Sequence, residues 1–187
     1  MRISGGSAKG IPLEVPKGKR LRPASEAARE RLFSSLANLV SGATFLDLFA
    51  GTGAYGLEAV SRGASEGTFV EQDAKTVEVL RRNLASVCRS ANLSLDKFKV
   101  ITGNALQVGP KEGPIDLVFV DPPYPILLKV APKLFSGLLE DGVAGKGTLL
   151  VLELPSEAQF DPKGWCLEKR LGKARRGSPT HALFRAS

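Results

Sequence analysis

From Thr44 onward the chain alternates short apolar runs with longer amphipathic stretches. TFLDLFA, GTFVEQ, KFKVIT, IDLVFV and GTLLVLEL have the length and composition of buried strands, whereas YGLEAVSRG, AKTVEVLRRNLASVCRS and ILLKVAPKLFSGLLE read as helices between them. In the second of these, Val77, Leu80, Leu84 and Val87 recur at helical spacing while Arg81, Arg82 and Arg89 take the other side, the pattern of a crossover helix covering a sheet. Alternation of this kind predicts an α/β fold, a Rossmann-like, mostly parallel, doubly wound sheet. WCLEKRLGK and HALFRAS add two strands at the end, expected to run antiparallel to the rest and joined by the loop ARRGSPT.

The first forty residues follow a different pattern. RISGGSAKGIPLEVP has two short β-like runs around glycines, which predicts a hairpin-like extension, and KGKRLRP after it is a basic linker. SEAARERLFSSLANLV then reads as a helix with Ser25 as a candidate N-cap and with Leu32, Leu36, Leu39 and Val40 on one side. The expected organisation is a basic N-terminal extension over residues 1–22 and one main domain over 23–187. No internal repeat or low-complexity tract interrupts it.

Composition narrows the chemistry. At 187 residues, with 43% hydrophobic and 24% charged residues, the chain has the balance of a globular domain with one main core. No apolar run reaches the roughly 18 residues of a membrane span, and the N-terminus lacks a signal-peptide core, so a cytoplasmic protein without membrane attachment is expected. Cys88 and Cys166 are far apart and there is one histidine, His181, which argues against a disulfide framework and a metal site alike. The chemistry is expected to run largely without imidazole.

The net charge of +7 is concentrated at the ends. Residues 1–31 carry +5 and residues 163–187 carry +6, leaving the middle at −4. A core flanked by basic segments fits a polyanionic partner, and a solvated basic surface would produce the same count.

DLFAGTGAYGLEAV places Gly51, Gly53 and Gly56 between the first core strand and its helix, satisfying G-x-G-x-x-G, and Glu71 ends the next strand. The glycines permit a tight turn and close approach of a nucleoside cofactor to the backbone, while Glu71 can accept hydrogen bonds from ribose hydroxyls. A dinucleotide would present a pyrophosphate to the helix; S-adenosylmethionine would present a carboxylate and an ammonium. Asp47 can serve that ammonium or cap the loop backbone. Asp73 suits an N-cap better than a ligand. Asn104, at the end of the third strand, can read an adenine edge with the Ala105 backbone assisting, or close an Asx turn.

VFVDPPYP ends the fourth strand on the same sheet edge. Pro122 and Pro123 have no N–H and fixed φ, so beside the Asp121 carboxylate they form a rigid, acceptor-only corner suited to a group with two N–H donors. The matching ligand is an exocyclic amine. Asp121 and the Pro122 carbonyl, each accepting one N–H, would stabilise positive charge developing on that nitrogen as it attacks a methyl donor. Tyr124 offers a face on which a base can stack, or a ring for the core.

The D-P-P-Y corner following D-x-x-x-G-x-G resembles the class I S-adenosylmethionine-dependent methyltransferases that act on exocyclic amines of bases. RISGGSAKGIPL and RPASEAARERLF are similar to the signatures of the RsmD family, the bacterial 16S ribosomal RNA guanine-N(2) methyltransferases, and the likeness extends over essentially the whole chain. Ala24 and Arg176-Gly177 stand where that family often has a threonine and a Tyr-Gly pair. The resemblance implies a class I methyltransferase fold, S-adenosylmethionine held by Asp47, Gly51, Gly53, Glu71, Asn104 and Ala105, and an amine held by Asp121, Pro122, Pro123 and Tyr124. It also implies 16S rRNA, or an assembling small ribosomal subunit, as partner. Arg20, Arg22, Arg29, Arg175 and Arg176 are the candidate phosphate contacts. An adenine-N6 methyltransferase acting on DNA or RNA is the nearest alternative, followed by an NAD-dependent oxidoreductase and a non-catalytic RNA-binding assembly factor.

Overall fold

The computed structural model describes residues 1–16, 26–107, 114–173 and 175–187. Seven strands form one sheet: β1 (Thr44–Leu48), β2 (Glu66–Glu71), β3 (Phe98–Thr102), β4 (Leu117–Val120), β5 (Leu149–Pro155), β6 (Trp165–Leu171) and β7 (Pro179–Ala186). Their order is β3-β2-β1-β4-β5-β7-β6. The first five pair in parallel, and β7 inserts antiparallel between β5 and β6. The parallel sheet and the antiparallel β7 agree with the sequence reading, but β6, expected to run antiparallel as well, points the same way as β1–β5 because it pairs antiparallel to the inserted β7, and that insertion carries no local signal.

Among the described residues four α-helices cover the two faces: α1 (Glu26–Leu36), α2 (Ala54–Ser61), α3 (Ala74–Ala91) and α4 (Tyr124–Glu140). Strand residues alternate between two apolar clusters because successive side chains point to opposite faces. Phe45, Phe69, Leu117, Phe119, Leu149 and Val151 meet α1, α2 and α3, while Leu46, Leu48, Val118, Val120, Leu150 and Leu152 meet α4. The buried stripe of α3 includes the expected Val77, Leu80, Leu84 and Val87, and Asp73 caps it by accepting from the Thr76 N–H at 2.8 Å. Ser25 lies outside the described residues. Leu39 departs from expectation: it is 49% exposed, because the helix gives way to a tighter 3-10 turn over Ala37–Leu39 that rotates it off the buried stripe.

In the N-terminal segment Arg2 is bridged antiparallel to Pro12, and the Ile3 N–H donates to the Ile11 carbonyl at 3.0 Å. Its Ile3, Ala8 and Leu13 enter the same apolar cluster as α1, α2 and α3, so it shares the domain's core. The proposed boundary between residues 22 and 23 falls outside the described residues. Among those described, no helix is long and apolar enough to cross a membrane, and no group of three potential metal ligands gathers.

One buried carboxylate fastens this segment. Glu58 on α2 accepts from the Ser4 N–H at 3.0 Å and the Ser4 hydroxyl at 2.7 Å, pairs with Arg62 at 2.9 Å, and lies 3.9 Å from the Arg29 Nε. The two glycines after Ser4 let the chain reach it: a Cβ at Gly5 would collide with the Arg62 guanidinium at 2.2 Å, and one at Gly6 with the Ser61 carbonyl at 1.9 Å. Glu58→Ala should therefore cost about 3–5 kcal/mol, since it leaves buried arginine charge uncompensated. Urea unfolding should show the loss, with Glu58→Gln losing less because it can still bond Ser4.

Candidate active site

The glycine loop lies at the C-terminal end of β1, where open parallel sheets bind ligands. Gly51 and Gly53 have φ of 54° and 89°, left-handed values that favour glycine. Gly53 also caps α2, and a Cβ there would meet Leu80 at 2.4 Å and Leu57 at 2.9 Å. Below the loop, then, packing demands Gly53. At Gly51, by contrast, the nearest atom to an added Cβ is the Phe49 carbonyl oxygen at 4.0 Å, so the loop's outer side is open. Gly56 is bare for a third reason: a Cβ would strike Phe69 and Phe45.

Two carboxylates hold this loop. Glu71 accepts from the Gly51 N–H at 3.0 Å and from the Asp73 N–H at 2.8 Å, leaving lone pairs on a half-buried carboxylate beside the open loop. Asp47 is 1% exposed and accepts from the Gly56 N–H at 2.9 Å, so it fills the backbone-capping role anticipated for it. Burial, opposed by that hydrogen bond and helped by the Glu71 charge, raises its pKa to about 7. At the end of β3, the Asn104 Oδ1 accepts from the Leu106 N–H at 3.0 Å, which realises the Asx turn, and Ala105 is buried behind it.

Asp121 follows β4 on the same sheet edge, half-buried, with its N–H directed to the Leu48 carbonyl at 3.4 Å. Pro122 is buried, Pro123 is exposed and caps α4, and Tyr124 opens that helix half-buried. Desolvation, then the charges of Glu153 and Asp47, push the Asp121 pKa well above the usual carboxylate range. A site of this kind favours any incoming group that donates hydrogen bonds or brings positive charge.

The sequence reading missed the residues behind this corner. Glu153 on β5 pairs in register with His181 on β7, and Asp121 stands one step beyond the Val120↔Leu152 pair, level with Glu153 on the same face. Tyr55, from the first turn of α2, covers the row: its hydroxyl donates to Glu153 Oε2 at 2.5 Å and lies 2.8 Å from His181 Nε2. The Tyr124 hydroxyl donates to Glu153 Oε1 at 3.2 Å. Glu153 is itself pushed up by burial, against the lowering effect of the two tyrosine hydrogen bonds. The available signal was a single acid inside GTLLVLEL, a strand otherwise apolar and therefore obliged to supply that acid with partners.

The basic candidates divide. Arg29, expected at a phosphate surface, is instead fully buried, with Nη2 donating to the Arg2 carbonyl at 2.7 Å. Its guanidinium serves the Glu58 cluster, which overturns its reading as an RNA contact. Arg175 and Arg176 are exposed in the turn between β6 and β7. Because Pro155 at the end of β5 pairs with Pro179, that turn lies at the same sheet edge as Asp121. Arg20 and Arg22 lie outside the described residues.

The family model described as Conserved hypothetical protein 95 matches residues 1–184. The chain is 41% identical over 125 residues to Ribosomal RNA small subunit methyltransferase D of Escherichia coli strain K12, a match covering 66% of this chain and 60% of that protein's length. The solved structure of the Escherichia coli protein yhhF superposes with a TM-score of 0.82 at 29% identity, covering 100% of this chain and 97% of the other. An RNA methyltransferase from Salinibacter ruber, solved in complex with S-adenosyl-L-homocysteine, shares the fold at a TM-score of 0.64 and 19% identity, over 88% of this chain and 93% of its own.

His181 provides a direct check on the buried row. Burial, aided by the Arg31 charge, lowers its pKa from 6.5 to about 4, so the imidazole is neutral at pH 7. With the Tyr55 proton directed to Glu153, the neutral ring donates from Nε2 to the Tyr55 oxygen. As the chain's one histidine it gives an unambiguous NMR titration, expected to have its midpoint near 4. The unfolded chain takes up this proton near pH 6.5. The stability contributed by His181 should thus be present above that pH and fall on acidification toward pH 4, by about 1.4 kcal/mol per unit.

Proposed function

The chain belongs to the RsmD family, described as Conserved hypothetical protein 95, and on that premise we propose that it transfers a methyl group from S-adenosylmethionine to the exocyclic N2 amine of a guanine in 16S ribosomal RNA. The observation that carries this reading is the Asp121 corner: a desolvated carboxylate followed by two prolines without N–H groups, one strand away from an open glycine loop. Such an edge accepts hydrogen bonds and offers none from the prolines, matching an amine with two N–H donors.

The residues at the sheet edge fit the cofactor. Glu71 retains acceptor capacity for ribose hydroxyls next to the open side of Gly51, and Asn104 with the Ala105 backbone stands at the next strand end for the adenine. Asp47, beneath the loop, supplies negative charge for an ammonium; Gly53 keeps the turn tight enough to expose the loop backbone. When bound, S-adenosylmethionine supplies an electrophilic methyl group. The chain's own part is to hold the acceptor nitrogen and the charge that forms on it.

Asp121 and the Pro122 carbonyl each accept one N–H of the amine, which draws the nitrogen lone pair out of conjugation with the ring. That lone pair would take the methyl group the bound cofactor gives up, and the nitrogen would become an ammonium held beside the Asp121 carboxylate. An arylammonium is acidic enough to pass its proton to water, so no histidine base is required. Pro123 fixes the chain direction, and Tyr124 stacks on the base. Arg175 and Arg176, on the same edge, meet phosphates, together with Arg20 and Arg22 of the basic linker; the small ribosomal subunit or its precursor is the particle that presents this RNA.

Asp121→Ala should lower the single-turnover rate at saturating cofactor by on the order of 10²–10³ while leaving cofactor affinity near normal. A rate within a fewfold of wild type would remove the corner from the chemistry. The assay uses 16S rRNA and nucleoside analysis of the product, so methyl on adenine N6 in place of guanine N2 would establish the alternative acceptor. RNA affinity should fall steeply with salt on a log–log plot, and Arg176→Glu should flatten the slope by about one unit per lost phosphate contact. An unchanged slope would return Arg176 to the solvated surface.

A further inference from the structure

The chain contains two tyrosines and one histidine, and all three converge on a single carboxylate. Glu153 receives the Tyr55 hydroxyl on one oxygen at 2.5 Å and the Tyr124 hydroxyl on the other at 3.2 Å, while His181 Nε2 reaches the Tyr55 oxygen at 2.8 Å. These residues come from four elements, α2, α4, β5 and β7, so no local turn or helix geometry brings them together. Tyr55 and His181 are 4% and 3% exposed, and the Tyr55 ring stacks on Phe119 with centroids 6.0 Å apart. The inner half of the network is therefore rigidly packed. Only Tyr124 extends from it toward the sheet edge.

We propose that Glu153 is a positioning residue for base docking: by tying the Tyr124 hydroxyl to the packed Tyr55–His181 pair, it fixes the plane of the Tyr124 ring against which the acceptor base stacks. This rests on the methyltransferase reading given above. A tyrosine used only as a stacking face has no need of its hydroxyl, and its replacement by phenylalanine would be silent. Here the hydroxyl is the attachment point. The tie also explains why a carboxylate is kept one strand from Asp121, where its charge raises the cost of ionising Asp121. A carboxylate can accept from both hydroxyls at once, one on each oxygen, whereas an amide has a single oxygen and must turn its NH₂ toward one of them.

The tie and the docking role are tested separately. In the ligand-free protein labelled at tyrosine Cζ, two resonances are expected, assigned by Tyr124→Phe and Tyr55→Phe. Glu153→Gln should shift both, because each hydroxyl loses a carboxylate acceptor, one meeting the amide oxygen and the other the NH₂. A Tyr124 resonance unmoved by Glu153→Gln would overturn the tie, whatever the protein catalyses.

The docking role is read from a double-mutant cycle on single-turnover methylation of RNA. Tyr124→Phe and Glu153→Ala should each lower kcat/KM for RNA by about tenfold, mainly through KM, with cofactor affinity unchanged. The double variant should lose about tenfold as well, since both changes cut the same tie. Glu153→Gln should recover part of the loss, and it replaces Glu153→Ala in the cycle if the alanine variant does not fold. Independent losses multiplying to about a hundredfold would overturn the positioning role. Absence of any methyl transfer by the wild-type chain would overturn the functional reading and the docking role with it, while the resonance shifts would still decide the tie.

Discussion

The site depends on the register of three neighbouring strands. Side chains alternate faces along a strand, so a position's face is fixed by counting along it, but whether two strands present their polar residues side by side is fixed by how they pair. Asp121, Glu153 and His181 form such a row across β4, β5 and β7, on the face that Phe119, Val151 and Leu183 line one step deeper. A slip of one residue in the β5–β7 pairing would turn His181 to the opposite face and leave Glu153 with a different neighbour. The row caps an apolar cluster at the edge where the glycine loop also lies. The candidate site and the packing share one face of one sheet.

Taking three carboxylates, Asp47, Asp121 and Glu153, out of water raises the pKa of each, and the structure compensates them unequally. Asp47 receives a backbone N–H and Glu153 two tyrosine hydroxyls, so both are committed to holding other groups. Asp121 stands at the rim with the desolvation but with no side-chain hydrogen bond among the causes that set its pKa. An acceptor left available in a desolvated corner attracts donors, which distinguishes Asp121 from the two carboxylates already engaged by other groups.

Helix α2 connects the site to the N-terminus. Its first turn carries Tyr55 over the polar row, and three residues later Glu58 receives Ser4 and the arginines. Docking of the N-terminal hairpin thus braces the helix that covers the polar row of the candidate site. The RISGG motif, which in the sequence serves mainly as a family mark, has a physical purpose: serine donors for a buried glutamate and two glycines that allow contact distance.

The sequence alone determined what depends on local order. Strand and helix periods, the glycine turn, the helix cap at Asp73 and the proline corner after Asp121 are each written within a few residues, because backbone conformation and alternation are short-range properties. The placement of Glu71 and Asp121 at strand ends on one sheet edge was legible for the same reason. Tertiary structure decided the rest. Nothing within RPASEAARERLF distinguishes Arg29, buried against Glu58, from a surface arginine, since its partner is 29 positions away. Nothing near Tyr55, Glu153 or His181 announces their meeting, with Tyr55 and His181 separated by 126 positions. Strand insertion at β7 creates that encounter, and pairing between distant strands is a long-range choice that periodicity cannot encode.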